Sequence, residues 1–350
     1  MTAQLTYSDS TDIPSEDAIL ALLARHFPVT HPSLLLGRGD DCAVLSNKTP
    51  LAISSDLFLE DVHFRKSYFT PEETGYKALA VNISDLAACG ARPLGFSLCL
   101  GLPASIDVPW LEKCITGMAE LAQKYNIILA GGDLSHCEKL HICITVWGEP
   151  VVQGGFLVRG GSMPGDILFV VGRLGLARVG LQVLEEAGRN ALNNWPDACA
   201  AHLRPEPQID AGIMLARAGY NARPPALMDI SDGIMRDLPR LLGLSGGLRA
   251  TGQTQGGGLG AEIVLARGQL HPEVIRHALQ HGQDPVHEAL LGGEDYALLG
   301  SCAPDMLPAL NAAIPGLTSL GVVTTGGNIL CNNKLLDNLN SGFDHFVRQA

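Results

Sequence analysis

The chain has 350 residues, of which 46% are apolar and 17% are charged, and it carries a formal net charge of −12 at pH 7. This length and composition predict a globular protein of about two domains and exclude an intrinsically disordered chain. The acidic balance argues against a nucleic-acid partner, because such binding depends on Lys and Arg side chains that neutralise phosphates.

The cysteines and the N-terminal segment indicate the cellular compartment. The nine cysteines form no Cys-x-x-Cys pair, their number is odd, and the polar N-terminus does not resemble a signal peptide. We therefore expect reduced thiols and a cytoplasmic location. No apolar run reaches the roughly 20 residues of a membrane span, so we expect no membrane partner.

Helical and strand patterns alternate along the chain. An amphipathic helix is predicted from Ser15, and strands are predicted first at PLAISS and HICITVWGE and later at DILFVVG, PALMDIS and YALLGSC. Residues 148–165, between these two groups, contain six glycines and two prolines. We place a domain boundary near residue 155, which divides the chain into residues 1–155 and 156–350, and we expect α/β layering in both halves.

One predicted helix carries an acid on an apolar surface. Thr70, Pro71 and Glu73 form a capping box with proline in the first turn, and the segment that follows is apolar nearly all round. Such a helix should be buried, and Asn82 and Asp85 lie three residues apart on one face. An ionised buried carboxylate costs several kcal/mol unless it is paired or bound to a metal. Asp85 is therefore either a metal ligand or a buried cap of a neighbouring loop.

Other acids lie beside Gly or Ser at the expected ends of strands. Each could be an Asx-turn or a helix cap, as Asp232 or Ser231 would be ahead of the next predicted helix. As a group they are harder to explain as caps, because α/β proteins bind ligands at strand ends and clustered carboxylates repel one another unless cations hold them. Mg²⁺ prefers such a set and completes its shell with water and substrate phosphate. The acids are Asp40, Asp41, Asp56, Asp133, Asp229, Asp232, Glu294 and Asp295.

Glycines accompany several of these acids. The GGD and GGED segments allow backbone N–H groups to approach a phosphate, since glycine has no Cβ. The chain contains neither the Gly-Lys dipeptide of a P-loop nor a Gly-x-Gly-x-x-Gly motif. A nucleotide site in this chain would therefore depend on metal ions and acids.

Eight segments with a recognisable order lie along residues 37–346. They are GRGDDCAVL, ISSDLFLEDVHF, GYKALAVNISDLAACGARPLG, LAGGD, RPEPQID, DISDGIMRDL, LGGEDYALL and GFDHF. Together they closely resemble the thiamine-monophosphate kinase family, which shares its fold with aminoimidazole ribonucleotide synthetase and selenophosphate synthetase. The resemblance covers essentially the whole chain, and VHF, GGEDY and GFDHF are specific to the kinase branch.

The resemblance implies a two-domain synthetase-like fold of class α/β (α+β layered). The N-terminal domain, residues 1–155, would bind ATP and Mg²⁺ and form a homodimer through a mixed sheet. The C-terminal α/β domain, residues 156–350, would complete the active site.

The resemblance also implies direct, Mg²⁺-assisted, in-line transfer of the γ-phosphoryl group of ATP to thiamine monophosphate, giving thiamine diphosphate and ADP. No general base is needed, because a phosphate monoester with a second pKa of ~6 is already anionic. By motif, several Mg²⁺ ions would be bound by Asp41, Ser54, Ser55, Asp56, Asp85, Asp133, Asp229 and Asp232. The co-substrate ATP would contact Tyr125, Gly132, Asp133, Arg159 and Ser231, and thiamine monophosphate would contact His63, Glu294 and Phe343.

Some positions depart from the family pattern. Arg38 stands where the family usually has isoleucine, Leu134 and Ser135 replace two threonines, and Phe343 stands where Trp or Tyr is common. The glycine-rich residues 251–260 look like an inserted surface loop. None of these departures touches the set of acids.

A histidine group lies outside the family motifs. His277 and His281 are four residues apart, and His271 and His287 are nearby. A zinc site is one explanation. The first histidine is not followed by the Glu of a His-Glu-x-x-His motif, and we interpret the group as a solvated helix face.

Two other functions stay open from the residues alone. The chain could be a different ATP-using synthetase of the same superfamily, although no Cys or Lys of the selenophosphate synthetase type lies near the N-terminus. It could also be a non-catalytic nucleotide-binding or metal-storage dimer, although the near-complete set of acids argues against lost activity.

Overall fold

The computed structural model describes residues 16–27, 31–36, 43–153, 155–220, 222–243 and 258–336. The helices in these ranges are α1 (Glu16–His26), α2 (Pro71–Ala88), α3 (Val108–Lys124), α4 (Leu176–Ala187), α5 (Pro196–Leu203), α6 (Ile209–Ala218), α7 (Ile234–Leu241), α8 (Pro272–Gln280), α9 (Pro285–Leu290) and α10 (Leu307–Ala313). The strands are β1 (Leu34–Leu36), β2 (Val44–Leu45), β3 (Ala52–Leu59), β4 (Ala91–Leu102), β5 (Ile128–His136), β6 (His141–Pro150), β7 (Ile167–Val171), β8 (Ala226–Asp229), β9 (Leu259–Ile263), β10 (Leu298–Cys302), β11 (Leu317–Thr325), β12 (Ile329–Cys331) and β13 (Lys334–Leu335).

These elements confirm the alternation predicted from the sequence. The five predicted strand segments lie in β3, β6, β7, β8 and β10, and the predicted N-terminal helix is α1. Helices and sheets together form an α/β fold, as expected. Within the described ranges, the helices are too short or too polar to cross a lipid bilayer.

The chain divides into two compact units whose segments interleave along the sequence. The first unit contains the described residues up to Asn47 together with residues 55–79 and 95–145. The second contains residues 48–54 and 80–94 and the described residues from Val146 onward. The functional division at residue 155 stays a prediction.

A four-stranded sheet has the strand order β3–β6–β4–β5, with β4 and β5 parallel. The pairing of β4 with β5 continues to Leu102 and His136, so β5 extends past Asp133. Strand β3 likewise extends past Asp56, with side chains alternating between half-buried and exposed as far as Leu57. The expectation that these two acids end their strands is therefore wrong, because strand pairing continues beyond the Gly and Ser residues that suggested turns.

A seven-stranded sheet has the order β13–β12–β9–β11–β7–β10–β8. Neighbouring strands are antiparallel except β9 and β12, which are parallel, so the sheet is mixed. Asp229 is the last residue of β8, as predicted, and it pairs with Leu298, the first residue of β10. The end of β8 and the segment before β10 therefore lie at the same edge of this sheet.

Helix α2 begins with the predicted capping box. The Thr70 N–H donates to Glu73 Oε2 (2.8 Å), and the Glu73 N–H donates to Thr70 Oγ1 (3.2 Å). Most side chains from Thr74 to Ala88 are buried, as the apolar surface of the helix predicts. The capping box and this burial together place Asp85 in the C-terminal part of a buried helix.

Helices α2 and α3 cross in the first unit, and a glycine of each helix lies at the point of contact. A Cβ on Gly75 would lie 1.8 Å from the carbonyl oxygen of Cys114, and a Cβ on Gly117 would lie 2.0 Å from that of Glu72. Non-bonded atoms prefer separations of ~3.5–4.0 Å, so neither position accepts a side chain. This crossing fixes the N-terminal half of the helix that carries the candidate acid.

The interpretation of the histidine group as a solvated helix face is wrong for His277. In α8 this residue is 2% exposed, and its ring lies 4.2 Å from that of His281 and 5.6 Å, edge-on, from that of Trp195. Neither ring nitrogen has a hydrogen-bond partner among the described residues. The spacing of the histidines predicts that they share a face, but packing of α8 on α4 and Trp195 buries one of them.

Candidate active site

Two acids of the second unit are each held by a serine. Ser54 Oγ donates a hydrogen bond to Asp85 Oδ2, and Ser84 Oγ donates to Asp229 Oδ2 at 2.7 Å. Ser84 is fully buried and Asp229 is 3% exposed. The C-terminal part of α2 and the end of β8 thus supply one acid each, and a hydrogen bond connects the two elements.

Burial raises the pKa of both acids, and like charge adds to the effect at Asp229. Burial is the largest cause for Asp229, the charge of Asp85 adds to it, and the pKa of Asp229 rises from 3.8 to about 7. Burial also raises the pKa of Asp85, against the hydrogen bond from Ser54 and the positive charge of Arg159, which lower it. Surroundings that destabilise two ionised carboxylates favour the binding of a cation next to them, because the cation compensates their charge.

The donor set at this place fits Mg²⁺. Within the part of the chain that the structure describes, no three His, Cys, Asp or Glu side chains form a ready cluster for a metal ion. Mg²⁺ does not require one, because it binds one or two carboxylates and completes its octahedral shell with water and phosphate oxygens. Asp85 and Asp229 supply two carboxylates, and Ser54 and Ser84 add hydroxyl oxygens. Such oxygen ligands are the type that Mg²⁺ prefers.

Two loops meet at the edge of the seven-stranded sheet where β8 ends and β10 begins. The Glu294 N–H donates to Ser231 O (2.8 Å), and the Tyr296 N–H donates to Ile230 O (3.0 Å). A Cβ on Gly293 would lie 2.9 Å from Ser231 O, so this glycine is needed for the close approach. The GGEDY segment is thereby packed against the residues that follow β8.

Glu294 and Asp295 have different partners. His202, on α5 and 1% exposed in its side chain, lies with Nδ1 3.1 Å from Glu294 Oε2. Asp295 accepts hydrogen bonds from the N–H groups of Gly175 (2.5 Å) and Ala177 (3.0 Å) at the start of α4. Asp295 is therefore a helix cap, the alternative that the sequence left open for acids in glycine-rich turns.

Asp232 is paired with an arginine. Arg240 Nη1 donates to Asp232 Oδ2 (2.7 Å) and to Asp237 Oδ1 (2.8 Å), and the Asp232 N–H donates to Asp237 Oδ2 (3.0 Å). The N-cap of α7 is Gly233, and no side chain caps this helix, so the capping alternative for Asp232 and Ser231 does not hold. A metal-binding role for Asp232 stays a prediction.

Three predicted residues of the first unit lie on β3 and in the turn that follows it. Ser55 and Asp56 are consecutive residues of β3. His63 Nδ1 accepts a hydrogen bond from the Leu59 N–H (3.0 Å), and its ring stacks on Phe58 at 5.9 Å between centroids. These contacts fix the orientation of the imidazole.

The GGD segment lies inside β5. A Cβ on Gly132 would lie 1.7 Å from Leu98 O on β4, so strand packing requires this glycine. Gly131 has open space where its Cβ would be, and Asp133 is exposed. Tyr125, also predicted to contact ATP, is the C-cap residue of α3.

Several predicted positions lie outside the described residues. They are Arg38, Asp40, Asp41 and Phe343, together with residues 251–257 of the glycine-rich segment, and their roles stay predictions. The loop prediction is wrong for Leu259 and Gly260, which begin strand β9 because they pair with β11.

Sequence reasoning missed three partners of the acids. Ser84 directly precedes Asp85, so a serine beside a buried acid was the available signal. Arg240 follows Asp237 by three positions on α7, which is a weak helical signal. His202 has no local signal, because its acid partner is far away in the sequence.

Comparisons with known proteins show which family the chain resembles. Residues 39–149 match the family described as AIR synthase related protein, N-terminal domain. The thiamine-monophosphate kinase of Escherichia coli (strain K12) is 34% identical over 342 residues, which cover 93% of this chain and 98% of that protein.

Solved structures share the fold. The thiamine-monophosphate kinase of Stenotrophomonas maltophilia K279a is 28% identical with a TM-score of 0.76, covering 92% of this chain and 98% of that chain. A complex of ThiL, a thiamine monophosphate kinase, with AMPPCP and TMP is 27% identical with a TM-score of 0.72, covering 98% of this chain and 100% of that chain. Similarity that extends over nearly the full length of both proteins shows that the chain belongs to the thiamine-monophosphate kinase family.

Proposed function

We propose that this protein transfers the γ-phosphoryl group of ATP directly to thiamine monophosphate, producing thiamine diphosphate and ADP. The observation that carries this proposal is the match, over 93% of the chain, to a thiamine-monophosphate kinase at 34% identity. A protein of the same fold, ThiL, holds AMPPCP, a non-hydrolysable ATP analogue, together with TMP. The serine hydrogen bonds to half-buried Asp85 and buried Asp229 support the use of these two acids as magnesium ligands.

The acceptor supplies its own nucleophile. A phosphate monoester has a second pKa of ~6, so its oxygen is anionic at neutral pH and needs no general base. That oxygen forms a bond to the γ-phosphorus, in line with the bridging oxygen, which takes the electron pair and leaves with ADP. Because two polyanions must meet, the protein contributes positioning and neutralisation of charge.

Acids and hydroxyls of this chain would hold several Mg²⁺ ions. When bound, Mg²⁺ neutralises phosphate charge and aligns the reacting oxygens. Support is strongest for Asp85 and Asp229, whose carboxylates are oriented by serine hydroxyls. Asp232 would have to share or exchange its present partner, Arg240. The full set that we propose is Asp41, Ser54, Ser55, Asp56, Asp85, Asp133, Asp229 and Asp232.

The substrates would be held by residues of the same motifs. Arg159 lowers the pKa of both Asp85 and Asp229, which supports a position near the acids and the phosphates. The backbone hydrogen bond between Glu294 and Ser231 supports adjacent sites for the acceptor and the nucleotide. We propose Tyr125, Gly132, Asp133, Arg159 and Ser231 for ATP, and His63, Glu294 and Phe343 for thiamine monophosphate.

A homodimer that forms through the four-stranded sheet is part of the proposal. Strand β3 is an edge strand of this sheet. Ile53 and Leu57 lie four residues apart, and so on one face of the strand, and they are 66% and 56% exposed. Exposed apolar side chains on an edge strand support an interface. The roles assigned to residues 1–155 and 156–350 and the cytoplasmic location stay predictions.

A direct assay tests the reaction. Purified protein is incubated with ATP, Mg²⁺ and thiamine monophosphate, and thiamine diphosphate is measured by chromatography after oxidation to its fluorescent thiochrome. Parallel reactions contain thiamine, thiamine diphosphate or an unrelated phosphate monoester. We expect thiamine diphosphate and an equal amount of ADP, and only from thiamine monophosphate.

The other outcomes separate the alternatives. ADP formed only with a different acceptor would support another synthetase of the superfamily. ATP binding without ADP from any acceptor would support a non-catalytic nucleotide-binding dimer. Either result contradicts the proposed function.

A further inference from the structure

Glu294, the carboxylate proposed for the acceptor, has an unusual backbone conformation. Its φ of 61° and the φ of 46° at Tyr296 lie in the left-handed region, which is uncommon for residues with a side chain. Hydrogen bonds from both N–H groups to Ser231 O and Ile230 O hold this conformation. Strained backbone that the surroundings hold in place is typical of ligand sites.

His202 restrains the side chain of Glu294. Nδ1 of the imidazole lies 3.1 Å from Glu294 Oε2, with the histidine side chain 1% exposed and the glutamate side chain 26% exposed. A hydrogen bond to a carboxylate in such surroundings is stronger than one in water. Without it, the three rotatable bonds of the glutamate would let its carboxylate sample several positions.

Helix packing sets the position of His202. Its helix, α5, packs on α4 at Gly180, where a Cβ would lie 2.0 Å from Ala198 O and 2.9 Å from His202 Cβ. Asp295, the neighbour of Glu294, accepts hydrogen bonds from the first N–H groups of the same helix, α4. Helix α4 therefore contacts both the helix that carries His202 and the residue next to Glu294.

We propose that His202 is a positioning residue for acceptor recognition, which holds the Glu294 carboxylate for the organic part of thiamine monophosphate. This inference rests on the proposed function. A carboxylate attracts N–H donors and cationic rings and repels phosphate, so Glu294 recognises the thiamine moiety of the acceptor. His202 then sets the affinity for the acceptor through Glu294, without contacting ATP or the reacting atoms.

Steady-state kinetics of His202→Ala test the proposal, with each substrate varied in turn at saturating Mg²⁺. Loss of one hydrogen bond to a carboxylate should raise the KM for thiamine monophosphate about tenfold. The KM for ATP and kcat should stay within about twofold of the wild-type values, because ATP and the reacting atoms are untouched. His287→Ala, at an exposed histidine, is the control and should behave like the wild type.

Two amide variants separate a specific hydrogen bond from general packing. The amide nitrogen of Asn occupies the place of Nδ1 of the imidazole, so His202→Asn should recover most of the lost affinity. The amide nitrogen of Gln lies near the place of Nε2, so His202→Gln should not. His202→Asn also keeps the test usable if His202→Ala does not fold.

A double-mutant cycle shows whether His202 acts through Glu294. The variant with both His202→Ala and Glu294→Ala should have a KM for thiamine monophosphate within about twofold of that of Glu294→Ala alone. Additive effects, equal increases in both KM values, or no advantage of Asn over Gln would overturn the inference.

The two proposals can fail separately. A wild-type protein that makes thiamine diphosphate, with an unchanged KM in His202→Ala, overturns the positioning role alone. A wild-type protein that makes none overturns the proposed function and this inference together.

Discussion

Replacing Asp229 by Asn should stabilise the metal-free protein and at the same time abolish phosphoryl transfer. Asp229 is 3% exposed, and burial followed by the charge of Asp85 raises its pKa from 3.8 to about 7. Asn has nearly the same size and can accept the hydrogen bond from Ser84, but it carries no charge. The substitution therefore removes an unfavourable charge and a proposed Mg²⁺ ligand with little change in packing.

The sign of the effect follows from the direction of the shift. A carboxyl group whose pKa is higher in the folded protein than in the unfolded chain lowers stability as the pH rises, because the unfolded chain loses its proton first. The loss begins near the unfolded pKa of 3.8 and is complete above about 7. A shift of about three pH units, at about 1.4 kcal/mol each, amounts to about 4 kcal/mol. The free energy of unfolding of the Asn variant should be higher than that of the wild type by up to about 4 kcal/mol at pH 8. Near pH 4 the two free energies should be nearly equal.

Urea unfolding in EDTA, at several pH values between 4 and 8, measures this difference in the free energy of unfolding. Added Mg²⁺ and ATP should stabilise the wild type by binding, and the variant should gain less. In the acceptor assay, kcat of the variant should fall at least about 100-fold, because a group that neutralises phosphate charge in the transition state is lost.

Asp305→Asn, at an exposed acid, is the matched control and should leave the pH dependence unchanged. Burial also raises the pKa of Asp237 to about 6 and that of Asp295 to about 7, but both residues are present in both proteins and cancel in the comparison. A variant that is less stable than the wild type at pH 8 in EDTA, or that shows the same pH slope, would refute the reasoning. Full activity would refute the proposed ligand role.

Three further substitutions test the helix crossing, the buried histidine and the proposed dimer. Gly117→Ala places a methyl group 2.0 Å from the carbonyl oxygen of Glu72, so urea unfolding should show a loss of about 3 kcal/mol. Burial and the charge of His281 lower the pKa of His277 from 6.5, so the unfolded chain takes up a proton first as the pH falls. His277→Phe should therefore reduce the loss of stability that urea unfolding shows for the wild type below pH 6.5. Leu57→Lys places a charge on the exposed apolar strand and should give a monomer in size-exclusion chromatography with light scattering.

Each of these substitutions has a matched control. Gly268→Ala, with open space at the Cβ position, should change stability by less than about 0.5 kcal/mol. His287→Gln, at an exposed site, should leave the acid sensitivity unchanged, and Leu279→Lys, also at an exposed leucine, should leave the oligomeric state unchanged. Wild-type stability in Gly117→Ala, undiminished acid sensitivity in His277→Phe, or a dimer in Leu57→Lys would contradict the respective argument.

Features that depend on residues a few positions apart could be predicted from the sequence. The capping box of Thr70 and Glu73 formed as expected, because both partners lie within one helical turn. The apolar surface around Asp85 correctly predicted a buried helix, and the turn signals after Asp229 correctly predicted the end of a strand. The family also followed from motifs in their order along the chain, and the relatives confirm it.

Local signals failed where long-range pairing overrode them. Gly and Ser beside Asp56 and Asp133 suggested strand ends, but pairing with neighbouring strands continues past both acids. Asp295 became a helix cap rather than a ligand because α4, which lies more than a hundred residues earlier, begins beside it.

The sequence by itself determined several helices, five of the thirteen described strands and the family of this protein, whereas only the tertiary structure decided which distant side chains meet. Ser84 and Asp229 are 145 positions apart, yet their hydrogen bond connects the helix that carries half-buried Asp85 with the strand that ends at buried Asp229. Spacing predicted a shared face for the histidines of α8, but not that His277 would be buried against Trp195. The physical reason is that burial, charge proximity and the pKa values that follow from them are properties of the packed chain, and no segment of a few residues contains them.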